Sequence, residues 1–432
     1  MWLAVAAAVA PVAPGEVQEA PLHYVVRPGD TLFQLAHLYL AAGHDWRTLG
    51  KLWHVRNPRR LPVGRTFTIP RAWLRWTADD ARVVGLRGTV TLQAGGRPLR
   101  PAIGIALPEG ARVSTAANSF VTLSLTNGSR IALPSQSEVT ILRLRKYAIN
   151  NTIEYRFRLD RGALDTKDTP FQNPDGAFTV RTPLALTAVR GTEFAVSFDP
   201  AKAQSGTAVY EGTVAVSGSD DARAQLVSER FGAVTAGNGP TVDLPLLAAP
   251  DLTDPGRVQA DDVVTFDVGA LPKATGYHAQ LASDAGFVDT FAEQDSATPH
   301  FEFAEVSNGM QFVRISANGP GGLHGMRQSY AFSRHLASIS AQAEQTPDGF
   351  LFRWFGHGEG DRHYRLQISR DAAPGTGTAV VDEVGLARNE AVVRKLPPGV
   401  YYWRVGVTQV DAEGTIDNWT TPEKLTITKP GR

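Results

Sequence analysis

The segment Val121-Thr-Leu-Ser-Leu-Thr-Asn-Gly-Ser-Arg-Ile-Ala-Leu133 places apolar residues at alternate positions on both sides of Asn127-Gly128. A repeat of two puts every apolar side chain on one face of a strand, and Asn-Gly suits the backbone of a tight hairpin. Two antiparallel strands with a half-buried face are therefore expected. The same texture runs outward over residues 85–247, where alternation is broken by turn signals such as Gly95-Gly96 and Asp175-Gly176 and no long helical pattern intervenes. This is the pattern of a regular antiparallel, all-β region.

Downstream, Leu244-Pro-Leu-Leu-Ala-Ala-Pro-Asp-Leu-Thr-Asp-Pro255 is rich in residues that favour extended backbone and remove donors, so a semi-rigid linker is expected over 248–255. Beyond it the sequence repeats. Tyr277-His-Ala-Gln280-Leu-Ala-Ser-Asp284 aligns with Tyr364-Arg-Leu-Gln367-Ile-Ser-Arg-Asp371 at an offset of 87 residues, and Gly309-Met-Gln-Phe-Val-Arg314 aligns with Gly399-Val-Tyr-Tyr-Trp-Arg404 at 90. Matched strands in the same order point to a duplicated β-sandwich of about 100 residues per copy. These copies, 256–335 and 336–430, resemble fibronectin type III domains. Phe350, Phe352 and Trp354 alternate, as do Tyr401, Trp403, Val405 and Val407, so these aromatics are assigned to a core.

Composition narrows the function. A chain of 432 residues is long enough for about three domains. Its 43 basic and 43 acidic residues cancel, leaving no overall field to gather nucleic acid. With no cysteine, disulfide scaffolds, thiolate metal sites and thiol nucleophiles are excluded. Residues 1–20 open with an Ala/Val-rich run broken by Pro14-Gly15, the form of an export segment too short to span a bilayer. No integral membrane segment is expected elsewhere.

Between them, residues 21–72 carry two helical patterns flanked by short strands. Tyr24-Val-Val-Arg27 is extended, Pro28-Gly29 turns, and Asp30 or Thr31 caps a helix with Leu32, Leu35, Ala36 and Tyr39 on one face and Gly43 at its end. Asp45 caps a second helix bearing Trp46, Leu49 and Trp53, which Asn57-Pro58 terminates. Leu61-Pro-Val-Gly64 then turns into the strand Thr66-Phe-Thr-Ile69. This βααβ unit closely resembles a LysM domain, departing from it at Trp53 and His54, where family members commonly carry Asn. The resemblance implies a non-catalytic module for N-acetylglucosamine polymers, in bacteria chiefly peptidoglycan. It implies a shallow groove between two loops, Gly29, Asp30, Thr31 and Leu32 on one side and Asn57, Pro58, Arg59, Arg60 and Leu61 on the other. Backbone amides and carbonyls would hold the acetamido groups, and Leu32 would cover the methyl or ring face. Nine basic residues between Arg27 and Arg75 face only Asp30 and Asp45, so attraction to anionic cell-wall material is expected, weakened by salt.

In the all-β region (73–247), Phe178-Thr-Val-Arg-Thr-Pro183, Ala188-Val-Arg-Gly-Thr-Glu-Phe-Ala-Val196 and Val209-Tyr-Glu-Gly-Thr-Val-Ala-Val216 closely resemble a FecR domain, with the likeness reaching back to Gly88-Thr-Val. That resemblance implies a periplasmic module known from envelope signalling. Arg190, Gly191, Thr192 and Glu193 are read as a structural bend with local Arg–Glu pairing.

Catalytic signatures are missing: the ten histidines show no His-Glu-Xaa-Xaa-His spacing, and there is no phosphate loop or nucleophile elbow. Gly356-His-Gly-Glu-Gly360 precedes no helix pattern and is read as a loop. The expected fold is mainly β and multidomain: a small βααβ module, an all-β domain and two β-sandwiches. The expected function is a non-enzymatic, exported envelope protein without cofactor or metal. It would bind peptidoglycan or another N-acetylglucosamine polymer and could meet an envelope protein through the sandwiches. An adhesive, matrix or signalling-regulator role and a peptidoglycan hydrolase are the alternatives.

Overall fold

The computed structural model describes residues 20–171, 173–189, 191–219, 224–236, 242–372, 379–412 and 414–428. The expected export segment, apart from Ala20, and Arg190 lie outside the described residues. The fold is mainly β, with two short α-helices near the N-terminus.

The N-terminal module comprises β1 (Leu22–Val25), α1 (Leu32–Tyr39), α2 (Trp46–Leu52) and β2 (Thr66–Ile69), with β1 and β2 antiparallel in the register Leu22↔Ile69. Leu32, Leu35, Leu49, Trp53, Phe67 and Ile69 fill its core. Each such side chain contributes about 1.5–3 kcal/mol by leaving water. Thr31, rather than Asp30, caps α1, its hydroxyl accepting from Gln34 N (3.2 Å). Asp45 caps α2 with a reciprocal Thr48 bond. Helix α1 ends before the expected Gly43, because Leu40 turns extended to bridge Leu74 and Ala41 N donates to Trp73 O (2.8 Å).

Helix α2 ends in a Schellman turn: Val55 N donates to Gly50 O (3.0 Å) and His54 N to Lys51 O (3.3 Å), with His54 at φ 52. A side chain in this left-handed region costs about 1–2 kcal/mol, whereas glycine adopts it freely but loses more entropy on folding. His54→Gly is therefore expected to stabilise the chain by about 0.5–1 kcal/mol in urea denaturation. A loss of stability would contradict the role of the turn.

The strands from Trp76–Ala78 to Val242–Pro245 form the central domain as two connected hydrogen-bonded sheets. Leu123 pairs with Ile131 and Val121 with Leu133, and all four side chains are buried in its core. The hairpin loop is one residue longer than a two-residue turn. Leu125 N donates to Ser129 O and Gly128 N to Leu125 O, with Gly128 at φ 89 and Asn127 outside the left-handed region. The long strand Ile153–Lys167 belongs to two sheets, its first half pairing with Glu138–Tyr147 and its second with Glu193–Asp199. It bends at Gly162, φ 81, where a Cβ would lie 2.6 Å from Ser137 Cα. After Lys167 the chain returns to run parallel with the start of this strand, pairing Tyr155 with Phe178. The expected wholly antiparallel pattern thus fails at one ladder, because antiparallel hairpins cannot supply a strand that crosses from one sheet back to the other.

Gly191 sits at the expected bend, φ 65, its N–H donating to Asp168 Oδ2 (2.9 Å). Glu193 pairs with Lys167 (3.5 Å) across the ladder.

Two β-sandwiches follow. In the first, Val264–Asp267 and His300–Phe303 face a four-stranded sheet; in the second, a three-stranded sheet faces a five-stranded one. The sequence repeat is structural in detail. Gln280 opposes Arg314 and Gln367 opposes Arg404, and each arginine donates both Nε and Nη2 to the glutamine Oε1. Phe352, Trp354, Tyr401 and Trp403 are buried, as assigned. Gly356, His357 and Gly358 end the strand Gly349–Gly358, so the expected loop contracts to a turn at Glu359-Gly360.

The stretch expected to act as a linker is fixed in place. Thr253 N donates to Asp267 O and Gly269 N to Asp251 O, and Leu252 is buried in the first sandwich. Leu252 is the decisive residue: an apolar side chain inside a Pro-rich run docks instead of staying in water.

Candidate functional site

The two loops of the N-terminal module meet directly. Leu32 N donates to Pro58 O (2.9 Å), tying the start of α1 to the second loop. Gly29 turns the first loop at φ 90, with open space where a side chain would project. The Asp30 carboxylate faces inward, with Oδ2 accepting from Arg27 N and from the Tyr24 hydroxyl, both at 2.7 Å. Burial, then the bond to Asp30, pushes the Tyr24 hydroxyl well above the usual tyrosine range, so it stays a donor. In the second loop Asn57 Oδ1 accepts from Arg59 N (3.0 Å) and Asn57 O from Arg60 N (3.2 Å). Both loops are therefore held from within before any ligand arrives.

This geometry corrects one expectation. Leu32 is 1% exposed and packs into the core against Gly50, so it cannot cover a sugar face. Leu61 is buried as well. The side chains of Asp30 and Thr31 are engaged as turn and cap, leaving main-chain groups as their contribution. Asn57, Arg59 and Arg60 are exposed.

Exposed apolar side chains of the module include Phe33 on the first turn of α1, at 66%, with Val63 at 61% and Leu38 at 54%. The exposure of Phe33 was legible in the sequence, because it falls outside the stripe Leu32, Leu35, Ala36 and Tyr39.

The basic surface is smaller than the sequence suggests. Arg71 is 5% exposed, donating to Ala20 O (2.8 Å) and Asp175 O (2.5 Å) while approaching Glu154 (3.8 Å). Arg75 donates to Leu40 O (2.6 Å), and Arg47 pairs with Asp45 (3.3 Å). Only Arg71 is withdrawn from the surface: Arg27, Arg47, Lys51, Arg56, Arg59, Arg60, Arg65 and Arg75 remain exposed.

Residues 24–70 match the LysM domain family, and residues 111–215 match the family described as FecR protein. The likeness read at Gly88-Thr-Val lies before the matched range. No curated protein matches the sequence. Among solved structures, a Parabacteroides distasonis protein described as an anti-sigma factor is 16% identical with a TM-score of 0.26, the match covering 31% of this chain and 59% of that one. The match thus spans about three-fifths of that protein's length. A two-domain fibronectin type III segment of chicken tenascin is 14% identical over 41% of this chain and 99% of that one, with a TM-score of 0.20. Fibronectin(III)-like modules of Clostridium thermocellum CbhA are 11% identical over 40% and 90%, with a TM-score of 0.19. Among the described residues, no helix is long and apolar enough to cross a membrane.

Proposed function

We propose that this chain is a non-catalytic, exported protein of the bacterial envelope that holds peptidoglycan through its LysM module and uses the remaining domains as a scaffold. The observation that carries the reading is the Leu32 N to Pro58 O bond, which sets two preformed loops side by side within the matched module. A neutral amino sugar needs main-chain donors and acceptors for its acetamido group and one apolar face against its ring. Main-chain groups of Gly29 to Leu32 and Asn57 to Leu61 that are not already bonded within the module would supply the former, and Phe33 the latter in place of Leu32. Loops ordered in advance lose little entropy on binding, which favours a shallow site.

The scaffold reading rests on the fixed joints between neighbouring domains. Arg71 of the LysM module is buried against Glu154 of the central domain, and Asp262 of the first sandwich accepts from Ser338 Oγ (2.7 Å) of the second. The sandwiches would then offer a rigid surface to an envelope protein.

Co-sedimentation of the full chain with purified sacculi tests the proposal. The wild type is expected to pellet, and Phe33→Ala to bind about tenfold more weakly, equivalent to ~1.4 kcal/mol of lost apolar contact. Retention should fall as salt rises, since Arg59 and Arg60 are exposed. A chain that stays in the supernatant with sacculi and with chitin oligomers overturns the binding role, and release of soluble muropeptides overturns the non-catalytic one.

A further inference from the structure

We propose that His278, Asp295 and His324 form a binding site for one divalent first-row transition-metal ion at the seam between the FecR-like domain and the first sandwich. Their ligand atoms lie within 4.8 Å of one another. His278 and Asp295 are directly opposed on the neighbouring strands Gly276–Ala282 and Thr290–Ser296, with Nδ1 and Oδ1 2.9 Å apart. His324 arrives from the segment after Gly309–Asn318, where its bridge to Asn318 brings its ring to 4.6 Å from that of His278. These three side chains border a cavity of about 160 Å³ whose opposite wall is made by Gly162, Ser197 and Tyr210 of the FecR-like domain.

The donor set selects the ion. Two imidazoles and one carboxylate suit Zn²⁺, Co²⁺ or Ni²⁺, whereas Ca²⁺ and Mg²⁺ require a shell of oxygens. Asp295 is 74% exposed at the rim, which gives the ion access and the carboxylate freedom to rotate toward it. Tetrahedral ligands with bonds of about 2.0–2.1 Å stand ~3.3 Å apart, so the 2.9 Å between His278 Nδ1 and Asp295 Oδ1 must open slightly around an ion.

Further charged groups stand close by. Glu293 stands 4.0 Å from His278 Nε2 and is itself held by Ser135 N (3.0 Å) and Gln280 Nε2 (3.2 Å). A carboxylate hydrogen-bonded to the other ring nitrogen orients a ligating histidine and raises its basicity; Glu293 is near Nε2 without bonding it and would have to move closer to do so. Asp165 beside the cavity bonds Arg327 (2.6 Å) and approaches Arg314 (3.8 Å). Three carboxylates and two guanidiniums leave one negative charge for the ion to meet.

The full chain, stripped with chelator and dialysed, would be titrated with Zn²⁺ by calorimetry and with Co²⁺ by visible absorption. One ion per chain is expected, with Co²⁺ giving the ligand-field bands of a low-symmetry site. His278→Asn with His324→Gln should weaken binding at least about 100-fold, beyond the ~10–100-fold that loss of an outer contact produces. Asp295→Asn, at the exposed rim, should weaken binding while leaving thermal unfolding of the metal-free chain unchanged. His300→Gln, in the separate exposed cluster with Asp267 and Glu302, should bind like the wild type. Absence of saturable binding at one equivalent, or binding unaffected by His278→Asn and Asp295→Asn, overturns the site.

Discussion

Replacing Glu154 with alanine is expected to destabilise the full chain by about 3–5 kcal/mol, the cost of leaving buried charges without their partner. Glu154 is 0% exposed and is approached by Arg143 (3.2 Å), Arg71 (3.8 Å) and Arg156, while the Tyr147 hydroxyl donates to it at 2.5 Å. Burial alone would raise this carboxyl; Arg156, the Tyr147 bond, Arg71 and Arg143 overcome that and hold it below the usual carboxylate range. Burial and Glu154 together push the Tyr147 hydroxyl up to about 12, so it remains a donor. Alanine would leave guanidinium groups converging on an empty position.

Because Arg71 belongs to the LysM module and Tyr147 and Ile149 sit in that module's core, the loss should also loosen the joint between the first two domains. The sign of the pH dependence follows from the depressed carboxyl. Its contribution is fully present above the unfolded pKa of about 4 and is lost as pH falls through the lower folded value. Urea unfolding of Glu154→Ala and the wild type at neutral pH, with limited proteolysis of the joint, measures the effect. A difference below about 1 kcal/mol would mean that water reaches the cluster and screens it.

Asp165→Ala should act in the same range, about 3–5 kcal/mol, at the opposite side of the central domain. Arg327 and Arg314 reach Asp165 from the first sandwich, and they lie over Tyr210 (4.1 Å) and Phe287 (4.3 Å). Burial, and then the nearby Arg327, push the Arg314 guanidinium down to about 10. For Asp165, burial raises the carboxyl, but Arg327 and Arg314 bring it below the ordinary value. The seam is therefore expected to weaken in acid below about pH 4, by the same linkage. In Asp165→Ala, protease should cut the stretch around 247–255 faster than in the wild type. The double variant Asp165→Leu/Arg327→Met should recover much of the lost stability, since an apolar pair carries no desolvation cost. A double variant no better than Asp165→Ala would show that the seam depends on packing and not on this pair.

The N-terminal module was legible almost residue by residue. Caps at Thr31 and Asp45, the apolar stripe of α1 and the turn into β2 are local signals, acting over a few residues, and the structure keeps them. The turns at Gly29 and at Asn57 to Arg60 were legible for the same reason. What failed there was side-chain direction: Leu32 lies both in the loop and on the buried stripe, and packing decided in favour of the stripe. In the central domain, alternation identified strands, but nothing local could announce that Ile153–Lys167 would serve two sheets or gain a parallel neighbour. Glu154 and Asp165 lie on this strand and read as ordinary polar positions in it.

The sequence by itself determined the order of modules, the strand and helix periods, the caps and turns, and the repeated Gln–Arg positions of the sandwiches, because each depends on neighbours within a few residues or on a self-comparison. Only the tertiary structure decided how modules join. Arg71 turned from a surface cation into a buried partner of Glu154, Leu252 turned from linker into core, and His278 and His324 came together across 46 residues of chain. Charge pairing in a low-dielectric seam and burial of a single leucine depend on what lies opposite in space, and spacing along the chain does not encode it.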